Sequence, residues 1–309
     1  MILCATLNPC VDKTIYVDSL KRDVIQTASR VTITVGGKAN NVARVLSAFG
    51  HEAVALNFLG GETGRLCERI LKEEDRVTTE TVWTRNPTRE IITIYEAELN
   101  RHTDIKEPSA LIYPAERDEY IERFAALLPR ARWVSYGGSA PCPCVDDVPA
   151  VLARMARVAG VPFILDTYGT ALAVAIDERP FMIKPNIAEA QMLFGERIEG
   201  LDGAVNALER LSSKAELVVL SLGEDGFLTS YKGRRYRVHS PQVLTRDAVG
   251  SGDALVAAVI AGISEKMAFS ETLALAAAAG AANAASVMAC RISRADVEAL
   301  MAKASVEVL

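Results

Sequence analysis

Apolar runs and helical patterns alternate along most of this chain. Short β-branched or apolar runs at Ile2 to Leu7, Ala53 to Leu59, Trp133 to Tyr136, Phe163 to Leu165 and Leu217 to Leu222 are separated by helical patterns. These patterns lie at Ala39 to Phe49, Gly64 to Glu73, Glu116 to Leu128, Val145 to Val158 and Leu201 to Leu211. A strand that is apolar at consecutive positions needs cover on both faces, and a helix after each strand supplies it. The order predicts an α/β fold with a mostly parallel central sheet and helices on both faces. A chain of 309 residues has room for one large domain or two modest ones. No repeat or low-complexity linker divides it, so one domain over residues 1–309 is expected.

Two stretches break the alternation. Thr14 to Val35 and Val82 to Ile105 are rich in Thr, Ile, Val and Tyr and carry no crossover helix. Both read as antiparallel strands projecting from the main sheet. Pairing residues 13–35 with 82–106 would build a small β-sheet lid over the carboxyl ends of the parallel strands. A later hairpin is expected about Tyr231-Lys232-Gly233-Arg234, and Ser251 to Ala302 reads as helical throughout. Thr272 to Cys290 carries no charge, but its Ala-rich composition, with Gly280, Asn283 and Ser286, suits an internal helix better than a membrane span.

Composition narrows the function classes. A net charge of -5 without any Lys/Arg run argues against nucleic acid and anionic membranes as partners, while leaving room for a local cationic pocket. Three histidines, at 51, 102 and 239, lack ligand spacing, which disfavours a His-rich metal site or a Ser-His-Asp triad. Six cysteines form neither a zinc pattern nor a Cys-x-x-Cys loop, and no charged leader precedes the first apolar run. The expectation is a cytoplasmic protein with buried thiols.

The motif richest in chemistry is Asp247-Ala248-Val249-Gly250-Ser251-Gly252-Asp253, followed at once by the apolar helix Ala254 to Ile263. Gly250, Ser251 and Gly252 would expose consecutive N–H groups at a helix start, where an anion is favoured. Asp253 is either an ordinary helix cap or, with a phosphate on the loop, a general base. A second cluster, Gly36-Gly37-Lys38-Ala39-Asn40-Asn41, opens another helix and offers Lys38 and two amides; a capped helix after a turn is the plainer reading. Neither cluster is a P-loop or a dinucleotide fingerprint. Asp12, after the first strand, is a sugar-hydroxyl ligand or a turn residue. Asn186 and Glu189, after Lys184, form a capping box or hold the water shell of Mg²⁺ on ATP. Ser221 to Gly226 is a turn able to wrap a nucleotide.

In order and spacing these segments resemble the PfkB (ribokinase-like) family of carbohydrate kinases along nearly the whole chain. Gly36-Gly37-Lys38 with Asn41 and Ala43 is similar to the family's N-terminal signature, and Gly250-Ser251-Gly252-Asp253 to its C-terminal one. Thr6-Leu7-Asn8-Pro9-Cys10-Val11-Asp12, Thr88-Arg89 and Asp166 to Leu172 resemble the hexose-phosphate branch, which includes 1-phosphofructokinase, tagatose-6-phosphate kinase and a 6-phosphofructokinase. The resemblance implies a ribokinase-like fold and transfer of the ATP γ-phosphoryl group to a hydroxyl of a ketohexose phosphate. Asp253 would be the base and residues 250–253 the anion hole. Asp12, Gly37, Lys38, Asn41, Arg89 and Ser139 would hold the sugar phosphate, with Lys38 and Arg89 as its cations. Lys184, Asn186, Glu189, Ser221, Gly223, Gly226 and Asn283 would line the ATP site, with Asn283 on the adenine pocket. Mg²⁺ is the implied cofactor, K⁺ activation is left open, and a homodimer clasped through the lids is implied, with the apolar residues of Ile91 to Tyr95 on the outer face. Departures gather on the sugar side: Ala39, Asn40, Ile91 and Ser109 replace usual residues, and Gly138 to Cys144 matches only partly. The rival readings are a ribokinase-like or nucleoside kinase with an unphosphorylated acceptor, and a non-catalytic sugar-phosphate sensor.

Overall fold

In the computed structural model, which describes residues 1–309, the first strand, β1 (Ile2–Thr6), is buried at every position. Next come β2 (Cys10–Val17), β3 (Arg30–Gly36), α1 (Lys38–Ala48), β4 (Ala53–Leu59), α2 (Gly61–Glu73), β5 (Thr78–Trp83), β6 (Glu90–Glu96) and β7 (Arg101–Lys106). The middle of the chain forms α3 (Pro114–Leu127), β8 (Trp133–Gly137), α4 (Val148–Val158), β9 (Phe163–Asp166), α5 (Gly169–Ala175), β10 (Met182–Ile183) and α6 (Ile187–Phe194). It ends with α7 (Gly200–Ser212), β11 (Leu217–Ser221), β12 (Phe227–Tyr231), β13 (Arg234–His239), α8 (Ser251–Ser264), α9 (Phe269–Ala284), α10 (Arg294–Met301) and β14 (Ser305–Val308).

The large sheet has the order β14-β13-β12-β11-β10-β9-β8-β1-β4-β5. Every neighbour from β11 to β5 pairs in parallel, and the last three strands add on antiparallel. Side-chain parity divides the interior in two. Ile2, Cys4, Ala53, Ala55, Ile164 and Leu217 pack with α1, α8 and α9, whereas Leu3, Ala5, Val54, Leu56, Leu165 and Val218 pack with α3, α4 and α7. Successive residues of a strand point to opposite faces, so a continuous apolar run feeds both cores. The expected hairpin between β12 and β13 is present, with Lys232 and Gly233 both at positive φ. No helix is long and apolar enough to cross a membrane.

The chain leaves β1 toward β4 on one side and later fills β8 on the other. This places the reversal of strand order beside the carboxyl end of β1, where ligand crevices of open α/β sheets form. Over that edge lies the second sheet, β3-β2-β6-β7. Its central pair, β2 with β6, is parallel rather than antiparallel, because the two strands enter from separate excursions of the chain that start in the same direction. The second excursion begins at Glu90 and not at Val82: β5 belongs to the main sheet, pairing Val82 with Phe58. The Thr-rich outer half of β5 is that of a sheet edge, which from sequence is hard to tell from a lid strand. Helix is also interrupted between α9 and α10, where residues 285–293 form turns around Cys290 at φ 59°.

Candidate active site

Gly37 caps α1 at φ 120°, a conformation closed to other residues, and a Cβ there would sit 2.9 Å from Thr6 Cγ2. The turn brings Lys38 beneath the carboxyl ends of β8 and β9. Its ammonium lies 2.8 Å from Asp166 Oδ1 at the end of β9 and 3.3 Å from Glu189 Oε1 in the first turn of α6. Lys184 Nζ lies 3.3 Å from the other Asp166 oxygen, which has no hydrogen-bond partner. Burial opposes charge on Lys38, but Asp166, Glu189 and Asp253 overcome it and hold the ammonium above its ordinary pKa. Burial likewise opposes ionisation of Asp166, and the two lysines reverse the effect, keeping it below the usual carboxylate range.

The second cluster meets the first from α8. Gly250 is the N-cap, at φ 88°, so Asp253 is the third residue of the helix and caps nothing. Its Oδ2 accepts a 2.7 Å hydrogen bond from Asn41 Nδ2 on α1. Of the loop amides, Ser251 N–H is taken by Ala248 O, whereas those of Gly250, Gly252 and Asp253 have no acceptor. Lys184 lies against this row: a Cβ on Gly252 would stand 2.9 Å from its Nζ. Free amides at a helix start beside an ammonium make an anion cradle. Burial first, and then the nearby Asp166 charge, push the Asp253 carboxyl up to about 6, against the pull of Lys38, Asn41 and Lys184.

Other expected residues lie around this centre with different partners. Asn186 and Glu189 form a complete capping box: Asn186 Oδ1 accepts from Glu189 N, and Glu189 Oε2 from Asn186 N. Ser221 ends β11, and Gly223 and Gly226 follow it at the same sheet edge. Gly226 has a steric reason of its own, since a Cβ there would overlap Val238 O at 2.0 Å. Asn283 lies on α9. It is buried and spent on the loop, donating to Val249 O at 2.8 Å and Ser251 Oγ at 3.0 Å and accepting from Cys290 N. On the opposite flank, Asn8 Nδ2 donates to Ser109 Oγ at 2.8 Å and to Ser139 Oγ at 3.1 Å. Arg89 Nη2 makes a 3.4 Å contact with Asn8 O, while its buried Nε has no acceptor. Asp12, on β2, is pushed up to about 6 by burial and by Asp104 and Asp247.

Lys38 and Arg89 therefore share no partner, although the sequence pairs them on one phosphate. Three groups went unselected in the sequence. Asp166 carried a usable signal, a carboxylate closing a buried strand; Arg44, a charge inside an apolar helical run, carried another; Ser109 stood out only as a departure. A surface cleft away from this site lies at the opposite sheet edge, among Arg157, Pro162, Arg179 and Lys214. Its cations sit where helices end and complement their dipoles, away from any free helix start.

The pfkB family carbohydrate kinase model matches residues 5–294. Among solved structures, the chain is similar to phosphofructokinase-2 from Escherichia coli in complex with substrates and products, at 25% identity and TM-score 0.90, covering 97% of this chain and 98% of that one. It is similar in fold to a possible 1-phosphofructokinase from Thermotoga maritima, at 23% identity and TM-score 0.92, covering 100% and 99%. With its glycine-led helix starts converging on Asp253, and the family model matching almost end to end, the chain belongs to the pfkB family of carbohydrate kinases.

Proposed function

We propose that this kinase transfers the γ-phosphoryl group of ATP to a hydroxyl of a ketohexose phosphate, with Asp253 as general base. The observation that carries the reading is the juxtaposition at the start of α8: a buried carboxylate that caps nothing, beside three amides without acceptors and the Lys184 ammonium. Asp253 accepts the proton of the attacking hydroxyl as the O–P bond forms. The amides of Gly250, Gly252 and Asp253 receive the charge that builds on the transferring group, with Lys38 and Lys184 beside them. Ser251 shapes the loop through Asn283.

Mg²⁺ fits the carboxylate side of the site. Asp166 Oδ2 is buried with no hydrogen bond, Lys184 Nζ standing 3.3 Å away, and Glu189 Oε1, outside the capping box, meets Lys38 Nζ at 3.3 Å; two carboxylates held this loosely suit an ion that keeps most of its water. Asn186 and Glu189 would hold the ion through water, and when bound it neutralises charge on the ATP phosphates. Ser221, Gly223 and Gly226 bound the nucleotide side.

For the acceptor, Arg89 is the phosphate ligand, supported by its buried Nε without an acceptor. Asp12, Asn41 and Ser139 serve sugar hydroxyls. Lys38, already between two carboxylates, serves the transferring phosphoryl group instead. The lid closes over this flank, and Tyr16, near the far end of β2, donates its OH to Val287 O at 3.2 Å, tying the lid to the 285–293 loop. One lid face gathers Ile15, Val31, Ile33, Ile92, Ile94 and Ile105 by register, while Ile91 and Tyr95 fall on the other with Asp12 and Tyr16. We assign the apolar face to a homodimer. Sedimentation should show a dimer that Ile33→Asp with Ile105→Asp converts to monomer; an unchanged sedimentation coefficient would remove the assignment.

The substrate assignment is tested by ADP release with Mg-ATP over fructose 1-phosphate, fructose 6-phosphate, tagatose 6-phosphate, free sugars and nucleosides. Turnover of a phosphorylated ketohexose is expected. Turnover only with free ribose or a nucleoside would contradict it.

A further inference from the structure

Arg44 is a charged residue in the middle of the apolar run of α1, and it is buried. Its four contacts account for that. Nη1 donates to Asn41 Oδ1 at 2.6 Å and lies 3.4 Å from Ala289 O, Nη2 donates to Val35 O at 2.8 Å, and Nε stands 2.8 Å from Asp75 Oδ2. The last contact is ionic, its angle being too poor for a hydrogen bond. Asp75, just past α2, is itself buried and also meets Arg291 at 3.2 Å.

A guanidinium has donors only and stays charged, so the atom of Asn41 facing it must be the carbonyl oxygen. The amide nitrogen is then turned toward Asp253, where it donates at 2.7 Å. The far end returns to the same place: Arg291 belongs to the 285–293 loop, whose Cys290 N–H fixes Asn283, and Asn283 fixes Val249 and Ser251. We propose that Arg44 and Asp75 are positioning residues for phosphoryl transfer: the Asp75–Arg44 pair locks the Asn41 amide as a donor to Asp253 and so sets the direction of its carboxylate. Neither residue touches substrate. The inference rests on Asp253 acting as the base.

Loss of the lock turns Asp253 away from the attacking hydroxyl and removes a donor that favours its ionised form. The other groups facing Asp253 stay in place: Lys38 from α1, Asp166 from β9, Lys184 beyond β10 and the Cys290 thiol. Arg44→Met should therefore lower kcat about 100-fold, as for a 1 Å misplacement, with KM for ATP nearly unchanged. The acid limb of its pH profile should move up by on the order of one unit. Arg44→Lys, which keeps a charged donor, should recover part of both. In an Asn41→Ala background the Arg44→Met effect on kcat should vanish, because the two act in series.

Arg44→Met leaves Asp75 buried with Arg291 as its remaining cation, so Asp75→Asn is the second variant. It keeps Arg44 in place, weakens its anchor, and should shift kcat and the acid limb in the same directions by a smaller factor. Circular dichroism melts identify the folded variants. A folded Arg44→Met or Asp75→Asn enzyme with wild-type kcat and pH profile would overturn the proposal, as would multiplicative effects of Arg44→Met and Asn41→Ala. Wild-type protein without kinase activity on any acceptor would instead overturn the functional reading, and this proposal with it.

Discussion

Asp253 is held where neither ionisation nor protonation is fully comfortable. Burial and Asp166 raise its carboxyl to about 6, so the base form is complete only above that value. The acid limb of kcat/KM should therefore fall near pH 6 once the titration of the acceptor's own phosphate, also about 6, has been divided out; a limb near 4 would mean that Asp253 is not the group read. The same shift has a stability consequence of definite sign. A carboxyl whose folded pKa lies above its unfolded one favours the fold below about pH 4, and that contribution is lost as pH rises through 6. Asp253→Asn removes the charge, so the variant should be more stable than wild type above pH 6 by on the order of 2–3 kcal/mol, the gap closing by pH 4. Melting curves at pH 4 and 8 check this. The sequence left Asp253 undecided between cap and base, since its place three residues past the N-cap is invisible without the positive φ of Gly250. Asp166 was harder to place: its partner Lys38 lies 128 residues away.

The elements were largely legible because most helices and parallel strands carry their own periodicity. The alternation located β1, β4, β8, β9 and β11 to within a residue or two. What failed was assignment between sheets. Thr residues on β5 look alike on a lid and on an edge, and only pairing with β4 distinguishes them. The Ala-rich stretch was read correctly as internal, and its reason is contact. α8 and α9 approach so closely that a Cβ on Gly262 would lie 2.7 Å from Thr272 Oγ1. Gly262→Val should cost about 1–3 kcal/mol through overpacking, read as a lower melting temperature. Because Gly262 lies near the far end of α8, kcat of the folded fraction should be unchanged; a large loss of kcat would show that the helix transmits strain to its first turn.

For the molecule as a whole, a net charge of -5 conceals a local group of cations, Lys38, Lys184 and Arg89, near the carboxyl ends of the parallel strands. The main sheet brings the two glycine-led helix starts together, and the lid adds Asp12 and Arg89 from above. Lys38 was legible as a site residue but not as a partner of Asp166 and Glu189, because the ion pairs join three separate βα turns. The account stands most directly on one comparison: ADP release by wild type and Asp253→Asn at pH 8, beside equilibrium binding of ATP and of the best sugar phosphate. Turnover should fall by about 10²–10⁴-fold with both affinities within a few-fold of wild type. Near-normal turnover in the variant, with binding intact, would contradict it.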